Sequence, residues 1–215
     1  MKILGFNGSP RKEGNSSLLL DSALNGAKGQ GAEIERVELY DLHYTGCRSC
    51  NACKRKGSFY GKGCAIQDDI TSLLTKALQA DAWIFATPIY MGHMSSGLAA
   101  FLERLHFPYK NYDEKTHAEY LLKDIPSIFI YSMNASQEVM HNLGIESSCQ
   151  FDKFLMEMVF GPVEYMTANF TMQFDDYSKY HAAGVNVAAK HSHREVQFPR
   201  DLAKAYELGK RLVMD

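Results

Sequence analysis

Lys2-Ile3-Leu4-Gly5-Phe6-Asn7-Gly8-Ser9-Pro10-Arg11-Lys12-Glu13-Gly14-Asn15-Ser16-Ser17 is the stretch from which the rest of the chain can be read. Its apolar run Ile3-Leu4-Gly5-Phe6 has the length and composition of a short buried strand. The strand passes into a loop of small, hydroxyl and amide residues, and a helical pattern begins at once at Ser16. Backbone N–H groups at a helix N-terminus, at the favourable end of its dipole, make an anion site. Ser9, Ser16 and Ser17 add hydroxyl donors, Asn15 an amide and Arg11 a charge-assisted fork. The loop has neither the Gly-Lys-Ser/Thr ending of a nucleoside-triphosphate loop nor the G-x-G-x-x-G of a dinucleotide site. A terminal phosphomonoester, with close to two negative charges, suits a pocket of hydroxyls and one Arg. An ordinary strand-to-helix turn capped by Ser or Asn is the alternative.

With 215 residues the chain is long enough for one sizeable α/β domain and short for two, so residues 1–215 are read as one domain. A formal charge of −2 gives no electrostatic case for nucleic acid or an anionic membrane. It also lacks the strong acidity of a small electron carrier that docks by charge. No signal-peptide pattern opens the chain, and no apolar stretch is long enough to span a bilayer. A cytoplasmic protein is expected, and its five cysteines are read as thiols or ligands before disulfides.

Apolar runs predict strands at Lys2–Asn7, Glu33–Leu39, Ala82–Thr87, Ser127–Ser132 and Val163–Phe170. Helical patterns lie between them at Ser16–Lys28, Asp68–Gln79, Ser95–Leu105 and Ser148–Val159, and Arg200–Met214 closes the chain. This alternation indicates a parallel sheet with helices on both faces. Right-handed crossovers and a phosphate loop after the first strand fit a flavodoxin-like three-layer α/β/α sandwich. Its five strands take the order 2-1-3-4-5. Two long connections remain. His106–Asp124 carries Phe107, Tyr109, Tyr112 and Tyr120, and is read as a lid or subunit contact. Gln173–Pro199 carries His181, His191 and His193, and is read as a solvated loop rather than a metal site.

The third strand runs into Ala86-Thr87-Pro88-Ile89-Tyr90-Met91-Gly92-His93-Met94-Ser95-Ser96-Gly97-Leu98. Pro88 is expected to stop the strand ladder and Gly92 to let the backbone approach a ligand. Tyr90, Met91 and Met94 offer flat or polarizable surface; simple packing is the alternative. Taken together, Gly8-Ser9-Pro10-Arg11…Gly14-Asn15-Ser16 and Thr87-Pro88-Ile89-Tyr90…Met94-Ser95…Phe101-Leu102-Glu103-Arg104 resemble the NADPH-dependent FMN reductase family. More narrowly they resemble its iron–sulfur flavoprotein branch. The resemblance implies that Ser9, Arg11, Asn15, Ser16 and Ser17 bind the FMN phosphate. It implies further that Pro88, Ile89, Tyr90, Met91, Gly92 and Met94 flank the isoalloxazine. The loop Ser132-Met133-Asn134 then closes its other side, through Ser132 and Asn134.

Cys47-Arg48-Ser49-Cys50-Asn51-Ala52-Cys53 is a C-x2-C-x2-C run, with Cys64 further on. Three thiolates so spaced wrap one face of an iron–sulfur cube, and a fourth Cys must complete it. The branch carries such a motif after its second strand, although the gap between Cys53 and Cys64 is longer here than is usual in the family. A 4Fe–4S cluster on Cys47, Cys50, Cys53 and Cys64 is the preferred reading. Zinc on the same sulfurs, or plain thiols, are the alternatives. Asp68 and Asp69 are read as cap and first-turn charges of the second helix, and Cys149 as a packed thiol.

The function expected from the resemblance is that of an FMN-dependent NAD(P)H oxidoreductase. It would pass hydride from the nicotinamide to FMN and on to a quinone, a flavin or another small oxidant, with no side chain obliged to act as acid or base. The cluster, if present, would pass single electrons. Alternatives are a non-enzymatic flavodoxin-type carrier, an iron–sulfur flavoprotein serving a ferredoxin-like partner, and a flavin-free anion-binding module. A homodimer or homotetramer is expected, since one flavin face is otherwise open.

Overall fold

The computed structural model of the chain describes residues 1–57, 62–110, 112 and 124–214. Tyr120, and Ser58 to Gly61 in the gap before Cys64, lie outside the described residues. Five parallel strands form the sheet: β1 (Lys2–Asn7), β2 (Glu33–Glu38), β3 (Ala82–Tyr90), β5 (Ser127–Ser132) and β6 (Val163–Ala168). Their order is β2-β1-β3-β5-β6, and the two-residue β4 (His93–Met94) turns back antiparallel onto β3. The parallel strands therefore follow the expected 2-1-3-4-5 winding.

Alternation along the strands sorts the two faces. Ile3, Ala82, Ile84, Ala86, Ile128 and Ile130 point to the layer of α1 (Asn15–Gly29) and α7 (Phe198–Met214). Leu4, Phe6, Trp83, Phe85, Phe129 and Tyr131 point to the opposite layer. There they meet α2 (Thr71–Gln79), α3 (Ser96–His106) and α5 (Ile145–Phe160). The short helix α4 (Gln137–Asn142) precedes α5 and adds Met140 to that layer. The second face is an aromatic ladder. Phe6 stacks on Phe85 at 5.0 Å, Phe85 meets Phe129 at 4.9 Å, and Trp83 meets Phe160 edge-on at 4.9 Å. Each such ring is fully buried and contributes about 1.5–3 kcal/mol of transfer free energy. Small residues on the first face let α1 lie close to the sheet: a Cβ on Gly5 would stand 2.7 Å from Leu24 Cδ1.

Several boundaries differ from the sequence reading. Strand β3 does not stop at Pro88 but runs to Tyr90, with Pro88 paired to Ser132 of β5. The proline is tolerated because its missing N–H points to the β1 side, where β1 has already ended opposite Ala86. Strand β6 ends at Ala168, and Phe170 takes a left-handed φ of 53°. The segment read as a loop before Pro199 contains α6 (Val187–Val196), capped by Asn186, whose Oδ1 accepts from Ala189 N at 3.0 Å. Helix α2 begins at Thr71, beyond Asp68 and Asp69, and is capped by neither side chain. Cys149 is fully buried in α5, where burial pushes its thiol up to about 12. No helix among the described residues is long and apolar enough to cross a membrane.

Helices α1 and α7 touch backbone to backbone: a Cβ on Gly209 would overlap the carbonyl oxygen of Ala23, and one on Gly26 that of Tyr206. Gly209→Ala is therefore expected to lower stability by about 1–3 kcal/mol in urea unfolding, despite alanine's better helix propensity. Gly184→Ala has open space around it and is expected to stay within about 0.5 kcal/mol of the parent.

Candidate functional site

The strands β1, β3, β5 and β6 end along one edge, and the loops that follow them converge there. The first is the Gly8–Ser17 loop. Gly8 N donates to Ala86 O at 2.8 Å, and Gly8 O accepts from Ser95 Oγ at 2.5 Å. A Cβ on Gly8 would stand 2.9 Å from Leu98 Cβ and 3.2 Å from Ala86 O, so only glycine fits this approach. Beyond it the loop folds on itself. Ser9 Oγ accepts from Arg11 N at 3.1 Å, and Ser17 Oγ donates to Arg11 O at 2.7 Å. Ser9, Ser16 and Ser17 are buried, whereas Arg11 is exposed.

Helix α1 then starts with Gly14 as its cap residue, and no side chain caps it. The amides of Asn15, Ser16 and Ser17 have no carbonyl partner inside the helix, and the first turn carries no acidic residue. Helices α3, α4 and α6 are each capped by a side chain, from Ser95, Ser136 and Asn186, whereas α2 and α5, like α1, are not. The N-terminus of α1 combines open donors, a positive dipole end and three hydroxyls, which is the chemistry of an anion site.

The second loop is a two-residue hairpin. Tyr90 pairs with His93 and Ile89 with Met94, while Met91 and Gly92 both take left-handed φ, 51° and 84°. That is the geometry of a type I′ turn, so Gly92 serves the turn itself. Met91 is 97% exposed at its tip. Tyr90 is half-exposed; burial raises its hydroxyl pKa and the charge of Arg11 opposes this, which brings the two loops to one place. Ser95 ties the hairpin to the first loop, because its N donates to Thr87 Oγ1 at 3.0 Å while its Oγ reaches Gly8. The third loop follows β5. Ser132 Oγ lies 2.8 Å from Ser16 Oγ, and Asn134 follows on the surface.

Residues not singled out from the sequence hold these loops. Asn15 Nδ2 donates to Met172 O at 2.7 Å, and Arg11 Nη1 to Gln173 O at 2.6 Å. From α6, Arg194 Nη1 donates to Asn15 Oδ1 at 2.8 Å. Lys190 Nζ, also from α6, donates to Asn134 O at 2.9 Å and to Thr171 O at 3.2 Å. Asn186 ahead of Val187 was the available sequence signal for this helix, hidden by its polar composition. Beneath the hairpin, burial raises Asp152 to about 6, while its bond from Tyr131 Oη (3.1 Å) and the nearby His93 pull the other way. His193 packs edge-on against Phe170 at 5.4 Å, and His191 faces an outer cleft with Asp175 and Asp176.

Cys47, Cys50, Cys53 and Cys64 line one small cavity with Glu103, Arg104 and Phe107 of the end of α3. Ser49 and Asn51, both left-handed at φ 52° and 55°, curl the chain between the first three cysteines. Cys47 N donates to Glu103 Oε2 at 2.9 Å, and Arg104 Nε to Cys64 Sγ at 3.4 Å. Arg104, fully buried, also ion-pairs with Asp68 and donates to Thr45 O at 3.2 Å and Ile66 O at 2.9 Å. Asp68 is thus an ion-pair partner, and Asp69 accepts from His43 N at 2.7 Å; neither acts as the expected simple cap. Burial raises the Cys53 thiol pKa, and the other three cysteines add to the shift. Among the described residues no three His, Cys, Asp or Glu side chains stand close enough together to hold a metal ion.

Arg104→Met removes the cation from this network and strands Asp68 in a largely buried site. A loss of about 3–5 kcal/mol is expected in denaturant unfolding. A loss below about 1 kcal/mol would show that the network does not anchor the cysteine segment.

Comparison with known proteins places these loops in context. The model of the NADPH-dependent FMN reductase family matches residues 1–141. An iron-sulfur flavoprotein of Methanocaldococcus jannaschii is 39% identical over 104 residues, 48% of this chain and 51% of that protein. One from Methanosarcina thermophila is 36% identical over 104 residues, 48% of this chain and 52% of that one. The chain thus spans about half the length of the curated relatives it matches. Among solved structures, an NAD(P)H:quinone oxidoreductase from Methanothermobacter marburgensis superposes with a TM-score of 0.71 at 16% identity. That match covers 99% of this chain and 96% of the other, and so establishes a shared fold. A match over about two-thirds of the chain, including both loops and the cysteine segment, makes this protein a member of the NADPH-dependent FMN reductase family.

Proposed function

We propose that the chain is a single-domain, FMN-dependent NAD(P)H oxidoreductase. The observation that carries this reading is the uncapped start of α1, wrapped by the Gly8–Ser17 loop and tied through Ser95 to the Tyr90 hairpin. Ser9, Arg11, Asn15, Ser16 and Ser17 would hold the FMN phosphate. The free donors that fit a dianion are three α1 amides and a guanidinium with one N–H engaged by Gln173 O. The Ser9 and Ser17 hydroxyls donate to Arg11 O and Ser16 Oγ pairs with Ser132 Oγ, so these would have to turn toward the phosphate. Pro88, Ile89, Tyr90, Met91, Gly92 and Met94 would lie along one side of the isoalloxazine, and Ser132 and Asn134 along the other. Bound FMN supplies hydride acceptance from NAD(P)H and delivery of electrons to a quinone, a flavin or another small oxidant.

The chain's own part is binding and orientation. Left-handed Met91 and Gly92 fix the hairpin, so its backbone is presented without rearrangement. Thr87 and Ser95, both buried, lock the hairpin's root to the phosphate loop. The half-exposed Tyr90 offers an aromatic edge and a hydroxyl whose pKa burial raises further above its ordinary value.

The four cysteines match a 4Fe–4S cluster in number and donor type, although as they stand no three of them are close enough together to hold a metal ion. They share one cavity, and Arg104 already directs an N–H at a sulfur. The cluster would supply single-electron transfer, and the cysteine segment would have to draw closer around it. Cys50 is exposed, which favours a second reading in which a ferredoxin-like protein exchanges electrons there. The exposed Phe151, Phe154 and Met158 recur at helical spacing along α5 and support a homodimer.

Anaerobically purified protein is expected to show two flavin bands that bleach on adding NADPH, over a broad shoulder from iron and acid-labile sulfide. Flavin without the shoulder would leave a plain FMN reductase, and zinc without sulfide would remove the cluster. A colourless protein that takes up no added FMN would contradict the whole reading.

A further inference from the structure

Lys190 is the largest unexplained charge near the site. Its side chain is 2% exposed, on a helix that the sequence pattern concealed. The ammonium donates to Asn134 O and Thr171 O and lies 3.6 Å from the centroid of the Phe170 ring. Its hydrogen-bonding capacity is therefore met, by two carbonyls and a π face. Its charge is not. Among the described residues no carboxylate ion-pairs with it, although a buried charge without a counter-charge is strongly disfavoured.

The charged groups around it do not correct this. On α6, Arg194 adds a second cation, and burial lowers the pKa of the His193 imidazole with Lys190 opposing its protonation further. From α7, Asp201 faces His193 and accepts from Gln197 Nε2 at 2.9 Å. The 133–135 and 170–173 segments present only carbonyls and a ring to Lys190. Meanwhile these segments are the ones that grip the phosphate loop. Met172 O and Gln173 O take Asn15 and Arg11, and Arg194 takes the other end of the Asn15 amide.

On the proposed FMN site, we infer that Lys190 is a positioning residue of cofactor binding: it clamps the Asn134 and Thr171 loops together, and the cofactor's negative charge supplies its missing counter-charge. Binding of the anion and protonation of Lys190 then favour each other. Burial pulls the Lys190 ammonium down to about 8 in the ligand-free chain, which makes the linkage measurable near neutrality. Bound FMN raises the Lys190 pKa, so affinity is full below about pH 8 and falls as pH rises above it. The FMN phosphate has its second pKa near ~6, so it is already a dianion throughout this window.

The test is titration of the full chain with FMN, by quenching of flavin fluorescence, from pH 7 to pH 9. The parent is expected to bind about tenfold more weakly at pH 9 than at pH 7. Calorimetry at pH 8.5 in two buffers of different ionisation enthalpy is expected to show uptake of most of one proton. Lys190→Met should bind more weakly at pH 7 and lose the pH step. Lys190→Arg keeps a charge that does not titrate and should bind without a step; circular dichroism verifies that each variant is folded. A flat parent profile without proton uptake would overturn the inference, as would folded variants that keep the step. No FMN binding at any pH would overturn the FMN reading as well, which separates the two failures.

Discussion

Gly8 is the point at which β1, β3 and α3 meet, and the arrangement of the site follows from that contact. Its amide completes the last rung toward Ala86, and its carbonyl receives the Ser95 hydroxyl. The absence of a Cβ lets Leu98 approach. Because Ser95 caps α3 and also bonds Thr87 and Gly8, it fixes the Gly8–Ser17 loop relative to the Tyr90 hairpin. The opposite end of α3 carries Glu103 and Arg104, which hold the cysteine segment. A single helix thus links the two candidate redox elements, with the aromatic ladder of the sheet packed along its inner side.

The other side of the site is built from late sequence. The segment 170–173 and α6 reach back across the strand ends to Arg11 and Asn15 through carbonyls and an arginine. In this chain the residues that would grip a phosphate are thus themselves oriented by groups more than 150 positions away. Such pre-orientation lowers the entropy lost on binding.

Much of the fold was legible because buried parallel strands read as apolar runs, and Lys2–Asn7 and Ser127–Ser132 have the expected limits. The Ser9–Ser17 and Tyr90–Met94 segments were legible as candidates from residue type and from a family resemblance. What escaped has physical reasons. Val187-Ala188-Ala189-Lys190-His191-Ser192-His193-Arg194 carries too little apolar periodicity to announce a helix, and Lys190 is buried against its residue type. Pro88 reads as a stop because its neighbour's end cannot be seen from sequence; only the pairing shows that β1 has ended on the side of its missing N–H, while β5 still pairs with it at Ser132. Asp68 looked like a cap because its partner Arg104 lies 36 positions away.

The most direct measurement of the central claim is the ratio of affinities for FMN and riboflavin, which differ only in the phosphate. If the Gly8–Ser17 loop is a phosphate site joined to a flavin site at the Tyr90 hairpin, one FMN per chain binds. FMN should then bind at least about a hundredfold more tightly than riboflavin, equivalent to roughly 2.7 kcal/mol. Equal affinities for the two, or binding of inorganic phosphate with no flavin binding at all, would contradict the account.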